Sequence, residues 1–175
     1  MELKNIKINE KSEFTRKCIG EAIVILLKST DFSRLKISDI VKKAGVSRTT
    51  FYKYYTTPYS VLKDYLSLMV SEYIVKGENL GQDKFFNYDH IIFSFNFFDR
   101  YAEFFLTLAD NKLHSVLFEG INEFMINHLK PDKSISMYKL YSYAGALLNS
   151  FLKWEENGKK EKVEDIAVTL EGFIN

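Results

Sequence analysis

Between residues 42 and 53 the chain gathers side chains suited to a nucleic-acid surface. Arg48, Thr49, Thr50, Tyr52 and Lys53 fall close together, and Lys42 and Lys43 precede them. Arginine can bond guanine bidentately, and threonine offers base edges a hydroxyl or a methyl group. Tyrosine and lysine suit phosphate oxygens. The same residues would also make the solvated face of an ordinary helical hairpin, and spacing alone leaves the two readings level. Rival chemistries are poorly supplied. The sequence has no Walker loop, no Gly-x-Gly-x-x-Gly and no Gly-x-Ser-x-Gly elbow. His90, His114 and His128 never fall three or four apart, so neither a metal site nor a cofactor is expected. Cys18 is the single cysteine, which excludes a disulfide framework and any Cys-x-x-Cys motif. It reads as a small buried hydrophobe. An enzyme is therefore not expected.

The elements needed to present these side chains are two short helices meeting at a tight turn. Ser38 stands where an N-cap belongs, ahead of Asp39, Ile40 and Val41. Gly45 suits the left-handed turn that ends such a helix. Ser47 is a second N-cap, opening a helix through Tyr54. Ile37, Ile40, Val41, Val46 and Phe51 supply the apolar side, and Ala44 is small enough for close packing. This is the pattern of a helix-turn-helix whose second helix enters the major groove. A helix over residues 12–29 precedes it, with Phe14, Cys18, Ile19, Ala22, Ile23 and Leu26 as its apolar face. Pro58 suits the first turn of a fourth helix running to about residue 76.

Ile37-Ser38-Asp39-Ile40, Ala44-Gly45-Val46-Ser47 and Thr50-Phe51-Tyr52-Lys53-Tyr54-Tyr55 together resemble the signature of the tetracycline-repressor (TetR) family of transcriptional regulators. The likeness covers roughly residues 12–65. It implies a homodimeric, all-α, ligand-responsive regulator with a DNA-binding head and a divergent body. By matched position it implies phosphate contacts at Ser38, Ser47, Tyr52 and Tyr54, and base reading at Arg48, Thr49, Thr50 and Lys53. Lys42 and Lys43 add phosphate contacts near the turn. Tyr55 matches a position that is often Phe and packs inward. Two departures stand out. Pro58 replaces the Lys usual at the start of the fourth helix, which puts one backbone contact in doubt, and Asp31 replaces the Gly common before Phe32.

Charge divides along the same line. Lys plus Arg exceeds Asp plus Glu by only one over the 175 residues. Residues 1–63 hold 13 basic and 6 acidic side chains, a balance of +7, whereas residues 64–175 hold 11 and 17, a balance of −6. A basic head is the electrostatic footprint of phosphate neutralisation. Two domains follow as an expectation: 1–56 for DNA binding and 57–175 for ligand binding and dimerisation. The longest apolar run, Ala22 to Leu27, is too short to span a bilayer, and Met1 to Lys11 is polar. The chain is expected in the cytoplasm, away from membranes.

Beyond residue 80, a polar linker at Gly77–Lys84 leads to helical blocks near 87–98, 99–108, 112–129, 135–156 and 161–174, with a break at Pro131-Asp132. That makes about nine helices and no strand. Twelve of the 15 Phe lie in this body, Phe85 and Phe86 among them. Aromatic stripes at helical spacing are most often core. With the family likeness, a cavity is expected, lined by Tyr65, Met69, Phe93, Phe97, Phe105, Leu117, Ile121, Met125 and Tyr141. Few charges fall on those faces, so the expected effector is small and apolar or aromatic. The alternative is a DNA-binding regulator without such an effector, controlled by a protein partner or by nothing. The last two helices carry stripes at Met137, Tyr141, Ala144, Gly145, Leu148, Phe151 and Leu152, and at Val163, Ile166, Ala167, Leu170 and Phe173. An intrachain hairpin would share these contacts, and the family likeness implies instead a homodimer interface, an intermolecular four-helix bundle.

Overall fold

The computed structural model describes residues 2–77, 86–129 and 136–174, with side chains from residue 10 onward except at 128, 129, 173 and 174. Among the described residues there are nine α-helices, one 3-10 turn at Phe32–Arg34, and no strand. The linker at 78–84, Phe85, the break at Pro131-Asp132 and the side chains of His128 and Phe173 lie outside the described residues. The helices fall into two compact units, Met1–Met69 and Val70–Asn175. The division lies inside α4 (Pro58–Gly77), not at its start.

The first unit is built on α1 (Glu2–Leu27), which begins ten residues earlier than its apolar pattern suggests. Ile19, Ala22, Ile23 and Leu27 are buried at helical spacing. Phe14, expected on that face, is 69% exposed, and Cys18 is only half-buried. Both sit before the helix enters the core at Ile19. Gly20 lets α4 come close: a Cβ there would stand 2.4 Å from Tyr65 Cγ. The first half of α4 buries Val61, Leu62, Tyr65, Leu66 and Met69, again with helical period.

The second unit holds the end of α4 with α5 (Tyr88–Asp99), α6 (Ala102–Asp110), α7 (His114–Leu129), α8 (Met137–Glu156) and α9 (Val163–Ile174). α5 packs on α9, and α7 on α8. Its core is aromatic. Phe98 to Phe105, Phe105 to Phe151 and Phe95 to Trp154 are edge-to-face at 5.3–5.5 Å, and Tyr73 stacks on Phe98 at 5.1 Å. Such pairs add about 0.5–1.5 kcal/mol each beyond their burial. Asn157-Gly158 breaks α8 from α9 as expected, with Gly158 at φ +74°. Trp154 closes that turn by donating from Nε1 to the Glu161 carbonyl at 2.9 Å.

Candidate nucleic-acid interface

α2 (Ile37–Ala44) and α3 (Arg48–Tyr54) form the helix-turn-helix. Gly45 has φ +67°, a left-handed conformation that a side chain would strain. The Val46 N–H reaches the Val41 carbonyl at 3.0 Å and the Gly45 N–H reaches Lys42, the paired bonds that close a helix end. Ser47 then caps α3: its Oγ accepts the Thr50 N–H at 3.0 Å and lies 2.9 Å from the Thr50 hydroxyl. Ser38 is not a cap. Lys36 precedes α2 in extended conformation, and its carbonyl takes the Asp39 and Ile40 N–H groups. Ser38 lies inside the first turn, with its hydroxyl 3.4 Å from Asp39 Oδ1.

α3 turns Phe51 fully into the core and leaves its other face outward. Arg48, Thr49, Tyr52 and Lys53 are exposed, as are Lys42 and Lys43; Thr50, Tyr54 and Ser38 are half-buried. Ser47, Arg48, Thr49, Thr50, Tyr52 and Lys53 line one open depression on the surface. Two cations, three hydroxyls and a phenol thus share one open face. Such a face can meet both base edges and phosphates. Ser12 and the neighbouring Lys53 lower the Tyr54 pKa.

The end of α3 is held by contacts that spacing does not foretell. Asp64 on α4 accepts from Arg16 on α1 through both Nε, at 2.8 Å, and a terminal guanidinium nitrogen. The same carboxylate accepts the Tyr55 hydroxyl at 2.6 Å. The hydrogen bond to Asp64 raises the Arg16 pKa, and burial followed by the Asp64 bond raises that of Tyr55.

Residues 19–61, which span this helix-turn-helix and the helix before it, match the family described as "Bacterial regulatory proteins, tetR family". The match places a tetR-type head in this chain. Comparison with curated proteins finds no match. Among solved structures, one titled "Dihydroxyacetone kinase operon activator DhaS" superposes with a TM-score of 0.55 at 14% identity, covering 91% of this chain and 93% of that one. At that identity the likeness shows a shared fold. The match covers the head and supports a part in DNA-binding transcription regulation. Among the described residues no helix is long and apolar enough to cross a membrane, and no group of three His, Cys, Asp or Glu could hold a metal.

The expected effector residues do not converge on one place. A cavity of about 30 Å³ lies in the second unit. Phe105, Ile121 and Met125 line it, together with Val70, Tyr73, His90, Phe98, Phe124, Tyr143 and Phe151, among others. Tyr65 and Met69 are buried in the first unit, Leu117 and Phe97 are buried without lining the cavity, Phe93 is half-buried, and Tyr141 is 40% exposed. Behind the apolar lining runs a chain of polar groups, which the apolar pattern hid. Ser94 donates to the His90 carbonyl at 2.7 Å, so its oxygen must accept from Tyr73 at 2.8 Å. Tyr73, its one proton spent, accepts from His90 Nε2 at 2.7 Å. Nδ1 is then the acceptor, taking the Tyr143 hydroxyl at 2.7 Å. This chain of bonds requires a neutral imidazole protonated at Nε2, and burial lowers the His90 pKa to about 4.

The stripes expected to pair with a second copy are mostly consumed within the unit. Ala144, Leu148, Phe151, Leu152, Ala167 and Leu170 are all buried in the single chain. Gly145, Val163 and Ile166 are half-buried. The outward face instead shows Tyr138 (82% exposed), Tyr141 and Val168 (61%).

Proposed function

We propose that the chain is a repressor that binds a palindromic operator as a homodimer and is released by a small effector. The observation that carries the DNA-binding half is the concave, cationic, outward face of α3 beside a capped turn. Arg48, Thr49, Thr50 and Lys53 read bases in this assignment. Ser38, Lys42, Lys43, Ser47, Tyr52 and Tyr54 hold phosphates. Residues 1–56 supply the interface and the remainder supplies regulation and pairing.

The homodimer is proposed to form through the outward faces of α8 and α9. Tyr138, Tyr141 and Gly145 lie on one stripe of α8, and Val168 and Gly172 on one stripe of α9. A Cβ added at Gly145 or Gly172 would meet nothing within 4 Å, so the chain's own packing does not require either glycine. Close approach of a second copy would. Two heads on a two-fold axis would read half-sites about 34–36 Å apart.

The effector is proposed to be small and apolar or aromatic, entering the aromatic layer at the cavity. Tyr73 of that layer and Asp64 of the head are both residues of α4. By linkage, DNA must weaken effector binding by the factor with which the effector weakens DNA binding. The cavity volume supports a second reading. About 30 Å³ is room for a water or two, whereas ligand sites typically run from about 300 Å³. A regulator answering to a protein partner, or to nothing, needs no larger space.

Selection of duplexes from a random pool tests the first half. A palindrome with half-sites one helical turn apart is the expected product, and an asymmetric or featureless pool would refute it. Arg48→Ala should then cost about 1–3 kcal/mol at one base pair, while Lys43→Ala weakens all sequences alike. Thermal shift against a panel of hydrophobic compounds separates the two regulatory readings.

A further inference from the structure

We propose that Asp64 is the positioning residue of the recognition helix, setting the angle at which α3 presents Arg48. The inference rests on the DNA-binding reading and adds a residue that itself touches no DNA. α3 has only seven residues, too few to persist as an isolated helix. Its orientation must therefore come from what holds its two ends. At the N-terminal end the hold is local: the Gly45 turn and the Ser47 cap. In the middle Phe51 is anchored in the core. An apolar anchor resists withdrawal but leaves rotation about itself weakly specified, because dispersion and burial are not directional. Direction at the C-terminal end comes from the Tyr55 hydroxyl on Asp64.

Asp64 is suited to that task because it is itself immobilised. Arg16 grips both carboxylate oxygens in the planar two-bond geometry that fixes orientation as well as distance. The carboxylate thus joins α1, the end of α3 and α4 at one point, and the pairing leaves no net charge there. Arg16 is accordingly part of the basic balance of the head without being one of its phosphate ligands. A phenylalanine at 55 would fill the ring's space and lose the directional bond. The lever is long: α3 spans about 10 Å, so a pivot of about 10° at its end moves Arg48 by about 2 Å. That displacement exceeds the tolerance of a bidentate base contact, while phosphate attraction hardly depends on it.

The test compares wild type, Tyr55→Phe and Asp64→Asn on two probes: the duplex selected by the wild-type protein, and a random duplex of equal length. Tyr55→Phe keeps the Arg16–Asp64 pair and the core ring, so the fold is maintained. It should bind the selected duplex about tenfold more weakly and the random duplex within about twofold of wild type. Asp64→Asn should widen the first loss further. Amide exchange of residues 50–55 should speed up in both variants without change in α2. An unchanged ratio between the two duplexes, even with a lowered melting temperature, would reduce Asp64 to a purely structural role and overturn the proposal. Unchanged exchange at 50–55 would overturn it as well. Should the wild type select no duplex, the DNA-binding reading fails by itself, and the exchange result still decides whether Asp64 holds α3.

Discussion

Acid should destabilise the second unit through His90, against an opposing contribution from Glu155, whose carboxyl is held above its usual range by burial. The ring is 5% exposed and carries a neutral, Nε2-protonated imidazole between Tyr73 and Tyr143. In the unfolded chain it takes a proton near pH 6.5; in the folded chain burial defers this to about 4. Above pH 6.5 neither form is protonated and the stability is complete. As the pH falls towards 4, the unfolded chain binds a proton that the native state refuses, and stability drains away. At 1.36 kcal/mol per pH unit, the gap between 6.5 and about 4 amounts to about 3 kcal/mol, most of it lost by pH 4.5. Glu72 does not obscure this window. Burial alone would raise its pKa, but bonds from Lys76 and Tyr101 lower it from 4.5 to about 2, so its contribution fades only below pH 4.5. Urea unfolding of wild type and His90→Gln from pH 7.5 to 4.5, followed by circular dichroism, measures the effect. The variant should start less stable and stay nearly level, so that the two curves converge. Parallel loss in both proteins would refute the tautomer assignment and the reasoning built on it.

Other perturbations have equally definite outcomes. Gly20→Ala places a methyl carbon against the Tyr65 ring and should cost about 1–3 kcal/mol in the melting of the first unit; a neutral result would mean that α1 and α4 are less close than 2.4 Å implies. Ser47→Ala removes the acceptor for the Thr50 N–H and should cost about 1 kcal/mol, restored in large part by Asp at the same position. Tyr141→Lys adds a charge to the outward face of α8 and should yield a monomer in light scattering without lowering the melting temperature, whereas an unaltered dimer would place the interface elsewhere.

What could be read from the sequence was local. Gly45 and Ser47 announce themselves because a left-handed turn and an N-cap are decided by a few adjacent residues. Ser38 misled because a cap depends on where the preceding chain turns, and Lys36 already supplies the carbonyl. Asp64 carried no signal: its partners are Arg16, 48 positions away, and Tyr55. Tyr73, His90, Ser94 and Tyr143 come from three helices, and only the four-residue step from His90 to Ser94 hinted at a shared face. Periodicity identified the apolar stripes of α8 and α9 correctly but could not say what covers them. The answer for Leu148, Phe151 and Ala167 is the chain itself, since these helices pack against α5, α7 and one another.

The protein has a single tryptophan, and it lies in the second unit. Trp154 is 7% exposed, with Phe95 against its ring and the Lys159 ammonium 5.3 Å above it. Its emission should be shifted to the blue and move to longer wavelength only when that unit opens. Circular dichroism, by contrast, reports helices in both. Following the two signals through one denaturation therefore separates the unfolding of the body from that of the head with no label attached. Quenching of Trp154 by an added compound would likewise register events in the body alone.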